Sequence, residues 1–251
     1  MLFRSMTPTD LIIAILLMCG AILYTSVGHA GSSIYIAIMS LFGLPAPVIK
    51  PTALSLNILV SSFTSWRYIK NKFFDRQLIV PLVAGAIPMA FLGGRLQLPA
   101  DTFKTLLGLT LIVAGLQFAF RPQFNNAREL AHPPLWVSVL TGSGIGFISG
   151  ITGTGGGIFL SPLMLAFGWT AVRSASGTAS VFILANSVSG LLGNFSSISS
   201  LPAQLPLFIV AVMVGALIGT RLGIRTFSSD GIKRALGAVL VIAGLKLFLH
   251  L

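Results

Sequence analysis

Apolar positions in this chain fall in long unbroken runs separated by short polar links, without the strict alternation of a half-buried strand. The runs cover 10–27, 33–43, 51–69, 78–96 and 103–120, then 134–151, 157–168, 175–193, 204–221 and 232–250. A helix rises about 1.5 Å per residue and the hydrocarbon core of a bilayer is about 30 Å thick. The runs 33–43 and 157–168 therefore reach only about halfway and read as half-helices, while the rest are long enough, or almost long enough, to cross. An outer-membrane barrel would instead show segments of about ten residues with alternating hydrophobicity.

The second set of runs repeats the first. Ser26-Val27-Gly28-His29-Ala30-Gly31-Ser32-Ser33, before one half-helix, returns as Ile151-Thr152-Gly153-Thr154-Gly155-Gly156-Gly157-Ile158 before the other. Gly28, Gly31 and Gly43 recur as Gly153, Gly156 and Gly168, each 125 positions on. Later, Gly93-Gly94-Arg95-Leu96 returns as Gly219-Thr220-Arg221-Leu222, and 112–116 as 241–245. A duplicated apolar chain with Gly-rich interruptions at matching places points to a secondary transporter with its site at the interruptions.

Charge orients the copies. Arg67, Lys70, Lys72 and Arg76 fill the link after the third run, whereas its counterpart, 194–204, carries no charge. After the fourth run the bias reverses, with Arg95 and Lys104 against Arg221, Arg225, Lys233 and Arg234. Because Lys and Arg concentrate on the cytoplasmic side, equivalent links face opposite sides and the repeats are inverted. Inversion needs an odd number of crossings per copy, met by five crossings or by three plus a re-entrant hairpin. The hairpin is preferred, since irregular backbone at membrane depth is tolerated where protein buries it. The expectation is an all-α polytopic membrane protein of two inverted repeats, each a Gly-rich re-entrant helical hairpin followed by three transmembrane helices. The first repeat is 1–125 (hairpin 10–43, helices 51–69, 78–96 and 103–120), and the second is 133–251 (hairpin 134–168, helices 175–193, 204–221 and 232–250).

Composition agrees: 55% hydrophobic and 8% charged residues, with a mean hydropathy of +0.94, leave too few charges to cover a soluble surface. The net charge of +11 sits in the short links, so membrane orientation explains it and nucleic acid is not expected as a partner. The single Cys19 allows no intramolecular disulfide or Cys-based metal site, and no cofactor or metal is expected. Residues 1–30 mimic a signal peptide, but cleavage would leave the first repeat incomplete, so they are expected to persist.

At each hairpin tip the chain passes through small or polar residues and restarts a helix near Ser32 or Gly157. A helix start presents unpaired N–H groups and the positive end of the peptide dipole, a seat for an anion. Gly28, Gly31, Gly153, Gly155, Gly156 and Gly157 would let oxygens approach the backbone, with Ser32, Ser33, Thr152 and Thr154 adding hydroxyl donors. The alternative is that these glycines only permit tight helix crossing. Thr52 and Thr178 read as helix caps, or with Ser55 and Ser180 as polar stripes facing the tips. Asn57 and Asn186 read as bonds between neighbouring helices. His29 lies at membrane depth as an oxyanion ligand, a carrier of a coupling proton, or a neutral hydrogen-bonding group. Lys50 and Arg173, ahead of the third run of each copy, read as interfacial anchors or as steering charges at opposite mouths. All five acids lie in links or at run ends, which disfavours a cation carrier. A passive anion channel is the alternative, and an intramembrane enzyme pairing His29 with Ser32 or Ser33 is a further one.

The paired halves, the break Gly150-Ile151-Thr152-Gly153-Thr154-Gly155-Gly156-Gly157, the later Gly177-Thr178-Ala179-Ser180 and the Gly-x-Arg-Leu ends resemble the TauE/SafE family, also called the toluene sulfonate uptake permease family. The resemblance covers roughly 8–250, and the first copy departs from it at His29 and Ala30. It implies a multi-pass protein of a bacterial or archaeal inner membrane, a permease or sulfite exporter for sulfite, an organosulfonate such as sulfoacetate, or a related sulfur-containing anion. Family members include exporters and importers, so direction does not carry over. The coupling ion and the oligomeric state, a homodimer included, stay open.

Overall fold

The structure is a computed structural model and describes residues 7–26, 28–119, 130–225, 240–242, 244 and 245. Its helices are α1 (Pro8–Ser26), α2 (Ser32–Leu41), α3 (Ala46–Lys70), α4 (Arg76–Arg95), α5 (Ala100–Ala119), α6 (Leu135–Thr152), α7 (Gly157–Ala166), α8 (Val172–Gly193) and α9 (Leu205–Arg225), with a 3-10 turn at Phe195–Ser200. Among the described residues all regular structure is helical. The last expected helix, 232–250, lies outside them except for 240–242, 244 and 245, which are helical.

The half-helices are present: α2 and α7 have 10 residues each. The arms that precede them are longer, 19 residues in α1 and 18 in α6, so each glycine break joins a full-length arm to a half-length one. Helix α3 begins at Ala46, ahead of the expected 51. Pro47 falls in its first turn, where a missing N–H is no loss, and Pro51 is carried inside the helix instead of starting it. Among the described residues, five helices are long and apolar enough to cross a membrane: α1, α4, α6, α8 and the Leu205–Gly223 part of α9. Exposed Leu135, Trp136 and Leu140 on α6, Val80 and Leu92 on α4 and Val210 on α9 give these helices apolar outer faces suited to lipid.

Two glycine seams hold long helices side by side. On α6, Gly142, Gly146 and Gly150 lie against the carbonyl oxygens of Leu82, Ala86 and Ala90 on α4, and a Cβ at Gly146 would stand 2.6 Å from the Ala86 oxygen. On α9, Gly215, Gly219 and Gly223 lie likewise against Met18, Ile22 and Ser26 of α1, with 2.5 Å between a Cβ at Gly215 and the Met18 oxygen. Residue numbers rise together in both seams, so α4 runs parallel to α6 and α1 parallel to α9. Lipid supplies no hydrophobic force between helices, and close backbone contact through small residues supplies the attraction instead.

Helices α3 and α8 cross between these pairs and run antiparallel. The Asn57 amide donates to Ser187 Oγ at 3.1 Å, and Ser65 Oγ donates to Ser180 Oγ at 3.2 Å, so one number rises as the other falls. Their buried faces carry Thr52, Asn57, Ser61, Thr64 and Ser65 on α3 and Thr178, Ser180, Asn186 and Ser187 on α8. The buried apolar side chains form two clusters, one drawn mainly from α1, α2, α3, α5 and α9, the other from α4, α6, α7 and α8.

Candidate functional site

The two breaks meet between α3 and α8. Repeat-matched glycines share one backbone hand: φ is 80° at Gly28 and 81° at Gly153, and 102° at Gly31 and 79° at Gly156. These left-handed torsions, with 72° at Gly155, turn the chain from each long arm into its short helix and are strained for any residue with a Cβ. Gly28 packs on Ser176 of α8, and Gly153 packs on Lys50 of α3. Gly155 abuts Asn57, Ile183 and Ser187, while Gly157 abuts Ile183 and His29. Asn57 lies at the midpoint of α3 and Ile183 at that of α8, so the junction sits halfway along both helices.

Hydrogen bonds close the junction. The Ser32 N–H, at the start of α2, donates to Asn57 Oδ1 at 3.1 Å, and the Ser32 hydroxyl donates to the Thr154 carbonyl. His29 Nε2 lies 3.0 Å from the Gly157 carbonyl; facing a carbonyl, that nitrogen carries the proton and donates. Asn186 Nδ2 donates weakly to the Gly155 carbonyl at 3.5 Å, and the Thr152 and Thr154 hydroxyls share a bond of 3.0 Å. Ser33 Oγ donates to the Tyr24 hydroxyl at 3.2 Å, and Tyr35 donates to the Ala30 carbonyl at 2.6 Å, which stiffens the first break. Tyr24, His29, Ser32, Asn57, Thr154 and Ile183 close around the junction and leave no room for a water molecule among them. Near the second break, Ser149 Oγ on the last turn of α6, Ser161 Oγ on α7 and Asn186 Oδ1 are buried without a partner. Such atoms are uncommon in a finished interior and offer bonds to a guest or to water.

The family description "Sulfite exporter TauE/SafE" matches residues 12–247. This chain belongs to the TauE/SafE sulfite exporter family. It is 37% identical over 230 residues to "Probable membrane transporter protein y4hK" of Sinorhizobium fredii (strain NBRC 101917 / NGR234), covering 90% of this chain and 93% of that protein. It is 27% identical over 241 residues to "Probable membrane transporter protein YjnA" of Bacillus subtilis (strain 168), covering 88% and 92%. No solved structure matches. The chain is thus a multi-pass membrane protein of a transporter family with bacterial relatives.

In this TauE/SafE chain the breaks gather Gly28, His29, Gly31, Ser32 and Ser33 with Gly153, Thr154, Gly155, Gly156 and Gly157. The expected stripes on α3 and α8 do not join them. Thr52 lies inside α3 and bonds back to the Val48 carbonyl at 2.6 Å, so it is no cap, and Ser55 makes no hydrogen bond to either break. Thr178 accepts from the Asp75 N–H at 3.1 Å, and Ser180 bonds Gly177 and Ser65. The reason is direction: antiparallel packing sets 178 and 180 beside the far end of α3 and brings Asn57, Asn186 and Ser187 to the breaks. Lys50 is not at a mouth either; it is buried, and its ammonium donates to the Gly94 carbonyl at 3.1 Å. Arg173 stays exposed at the start of α8, with its guanidinium 5.3 Å over the Phe73 ring.

Reading runs and breaks alone misses the two glycine seams, although glycine at every fourth position of an apolar helix is their signal. No described acid lies at the breaks: Asp10, Asp75 and Asp101 are at helix starts, while Glu129 and Asp230 fall outside the described residues. Asp75 caps α4 through the Leu78 N–H at 3.1 Å and also bonds His132 at 2.9 Å and Thr170 at 3.1 Å. Burial alone would raise its pKa, but these bonds hold the carboxyl below its ordinary value. Among the described residues no cluster of His, Cys, Asp or Glu could hold a metal ion.

Proposed function

We propose that this chain is a secondary transporter that carries a small sulfur-containing anion, sulfite or an organosulfonate such as sulfoacetate, by alternating access. The carrying observation is the meeting of two repeat-matched glycine breaks at the midpoints of α3 and α8. Inverted repeats are the reading that fits best, because α3 and α8 occupy equivalent places in the two copies and run in opposite directions. The exchanged seams agree with it: the long arm of each copy lies along the fourth helix of the other. Residues 1–125 and 133–251 are then the two copies, interleaved through these seams.

An anion fits this junction for three reasons. Backbone and side-chain donors from both breaks converge there: the Ser32 N–H, the Ser32, Thr152 and Thr154 hydroxyls, His29 Nε2–H and the Asn57 and Asn186 amides. No described carboxylate competes for them. The family description names a sulfite exporter. Donors that now bond across the two breaks would turn to the oxygens of the guest, so binding exchanges hydrogen bonds and leaves no donor orphaned. Since those bonds tie one break to the other, releasing them also frees one break to move against its partner.

The closed junction favours a carrier over a passive channel. An enzyme is disfavoured as well, since Ser32 and Ser33 donate to Thr154 and Tyr24 while His29 Nε2 faces Gly157. Purified protein in vesicles tests the proposal. Saturable counterflow of labelled sulfite or sulfoacetate, with chloride and acetate inert, is the expected result. Flux that never saturates, or no response to any sulfur anion, overturns it.

A further inference from the structure

We infer that Lys50 is the counter-charge of the transported anion and that the anion sits toward the Gly153 side of the junction. This rests on the anion-transport reading above. Lys50 is 7% exposed and is the one buried Lys or Arg among the described residues. Its ammonium has the Gly94 carbonyl as its hydrogen-bond partner at 3.1 Å. The described ion pairs, Lys104 with Asp101 and His132 with Asp75, lie at helix ends and leave it without a carboxylate. The groups seen against it carry no charge: Gly94 of α4, with Arg95 exposed, and Gly153 just after α6. A buried ammonium without a counter-ion is costly, and a bound anion is what would neutralise it.

Position completes the case. The Lys50 side chain runs past the second break, with its Cγ 3.2 Å from where a Cβ on Gly153 would stand, and Gly153 lies between Thr152 and Thr154, whose hydroxyls bond each other. The equivalent place in the other copy, one residue before Gly177 as Lys50 is before Pro51, is Ser176, which touches the first break at Gly28. Of two matched contacts between a helix start and a break, one carries a cation and the other a hydroxyl, so the charge of the site is lopsided toward Gly153.

The contrasting role is structural, a lysine that caps the last turn of α4 through Gly94. Purified protein, Lys50→Met and Lys50→Arg are compared for thermal stabilisation and affinity with sulfite and sulfoacetate as probes. The inference expects Lys50→Met to weaken binding about tenfold or more, as fits loss of a buried charge-assisted contact, and Lys50→Arg to restore most of it. A lower melting temperature in Lys50→Met with unchanged affinity makes Lys50 a cap and overturns the inference. No response of the unmodified protein to either probe sinks the transport reading itself. If Lys50→Met does not survive purification, amine labelling of the unmodified protein read by mass spectrometry decides. Protection of Lys50 by sulfoacetate supports the inference, and labelling that is unaffected, or absent throughout, overturns it.

Discussion

Asn57 holds the start of α2: its Oδ1 accepts the Ser32 N–H at 3.1 Å, while its Nδ2 donates to Ser187 at 3.1 Å. One fully buried amide thus ties the first glycine break to α3 and α3 to α8. Asn57→Leu removes both bonds and strands a buried N–H, a loss of about 1–3 kcal/mol. A fall in melting temperature of the detergent-solubilised protein is expected, larger than that of Ser62→Ala on the exposed face of α3. Equal melting of the two variants would show that the amide does not hold the break.

The seam between α4 and α6 separates two glycines only two residues apart. A Cβ on Gly146 would stand 2.6 Å from the Ala86 carbonyl oxygen, whereas one on Gly144 meets nothing. Gly146→Ala should destabilise by about 1–3 kcal/mol through overpacking. Gly144→Ala should stabilise by about 0.5–1 kcal/mol, since alanine loses less chain entropy on entering a helix. Thermal or denaturant melts of the pair check the sign as well as the size.

At the end of α3 remote from Lys50, Asp75 gathers the Leu78 N–H, His132 and Thr170. Its folded pKa lies below the ordinary carboxyl value because these bonds outweigh burial. A carboxyl depressed in this way stabilises the fold at pH values above its unfolded pKa of about 3.9, and the contribution is lost as pH falls through the folded pKa. Asp75→Asn keeps a capping oxygen but not the charge, so it should lower stability by about 0.3–1 kcal/mol at neutral pH, the usual worth of a carboxylate at a helix N-terminus, with the gap to the unmodified protein closing below about pH 4. A gap that persists in acid would assign the effect to packing.

His29 donates from Nε2 to the Gly157 carbonyl at 3.0 Å and so links the breaks through an imidazole, a side-chain type able to carry a coupling proton. His29→Gln keeps a donor but no titration. Uptake by His29→Gln vesicles is expected to persist and to lose any pH dependence seen with the unmodified protein. An unaltered pH profile would remove the imidazole from proton coupling.

Much of the fold is legible before any coordinates. The ten-residue length of α2 and α7 follows from apolar runs too short to cross, and the start of α7 at Gly157 from the glycines that precede it. Helix starts are less legible: α3 begins at Ala46 because proline is tolerated both in a first turn and, in a packed helix, beyond it. The candidate site is legible in its glycines and in His29 and Ser32, which local backbone geometry places at a break. It is not legible at Thr178 and Ser180, whose level depends on the direction of a neighbouring helix.

The sequence by itself determined the membrane class, the duplication and the short helices, since each depends on local apolar length or on residues that recur at matching places. Tertiary structure alone decided that α1 lies along α9 and α6 along α4, that Asn57 and Ser187 reach the breaks, and that Lys50 is buried beside Gly153. The physical reason is that a helical run specifies which faces are apolar or small but not which partner they meet or in which direction. Among helices equally at home in lipid, close backbone contact along the glycine seams is what makes that choice.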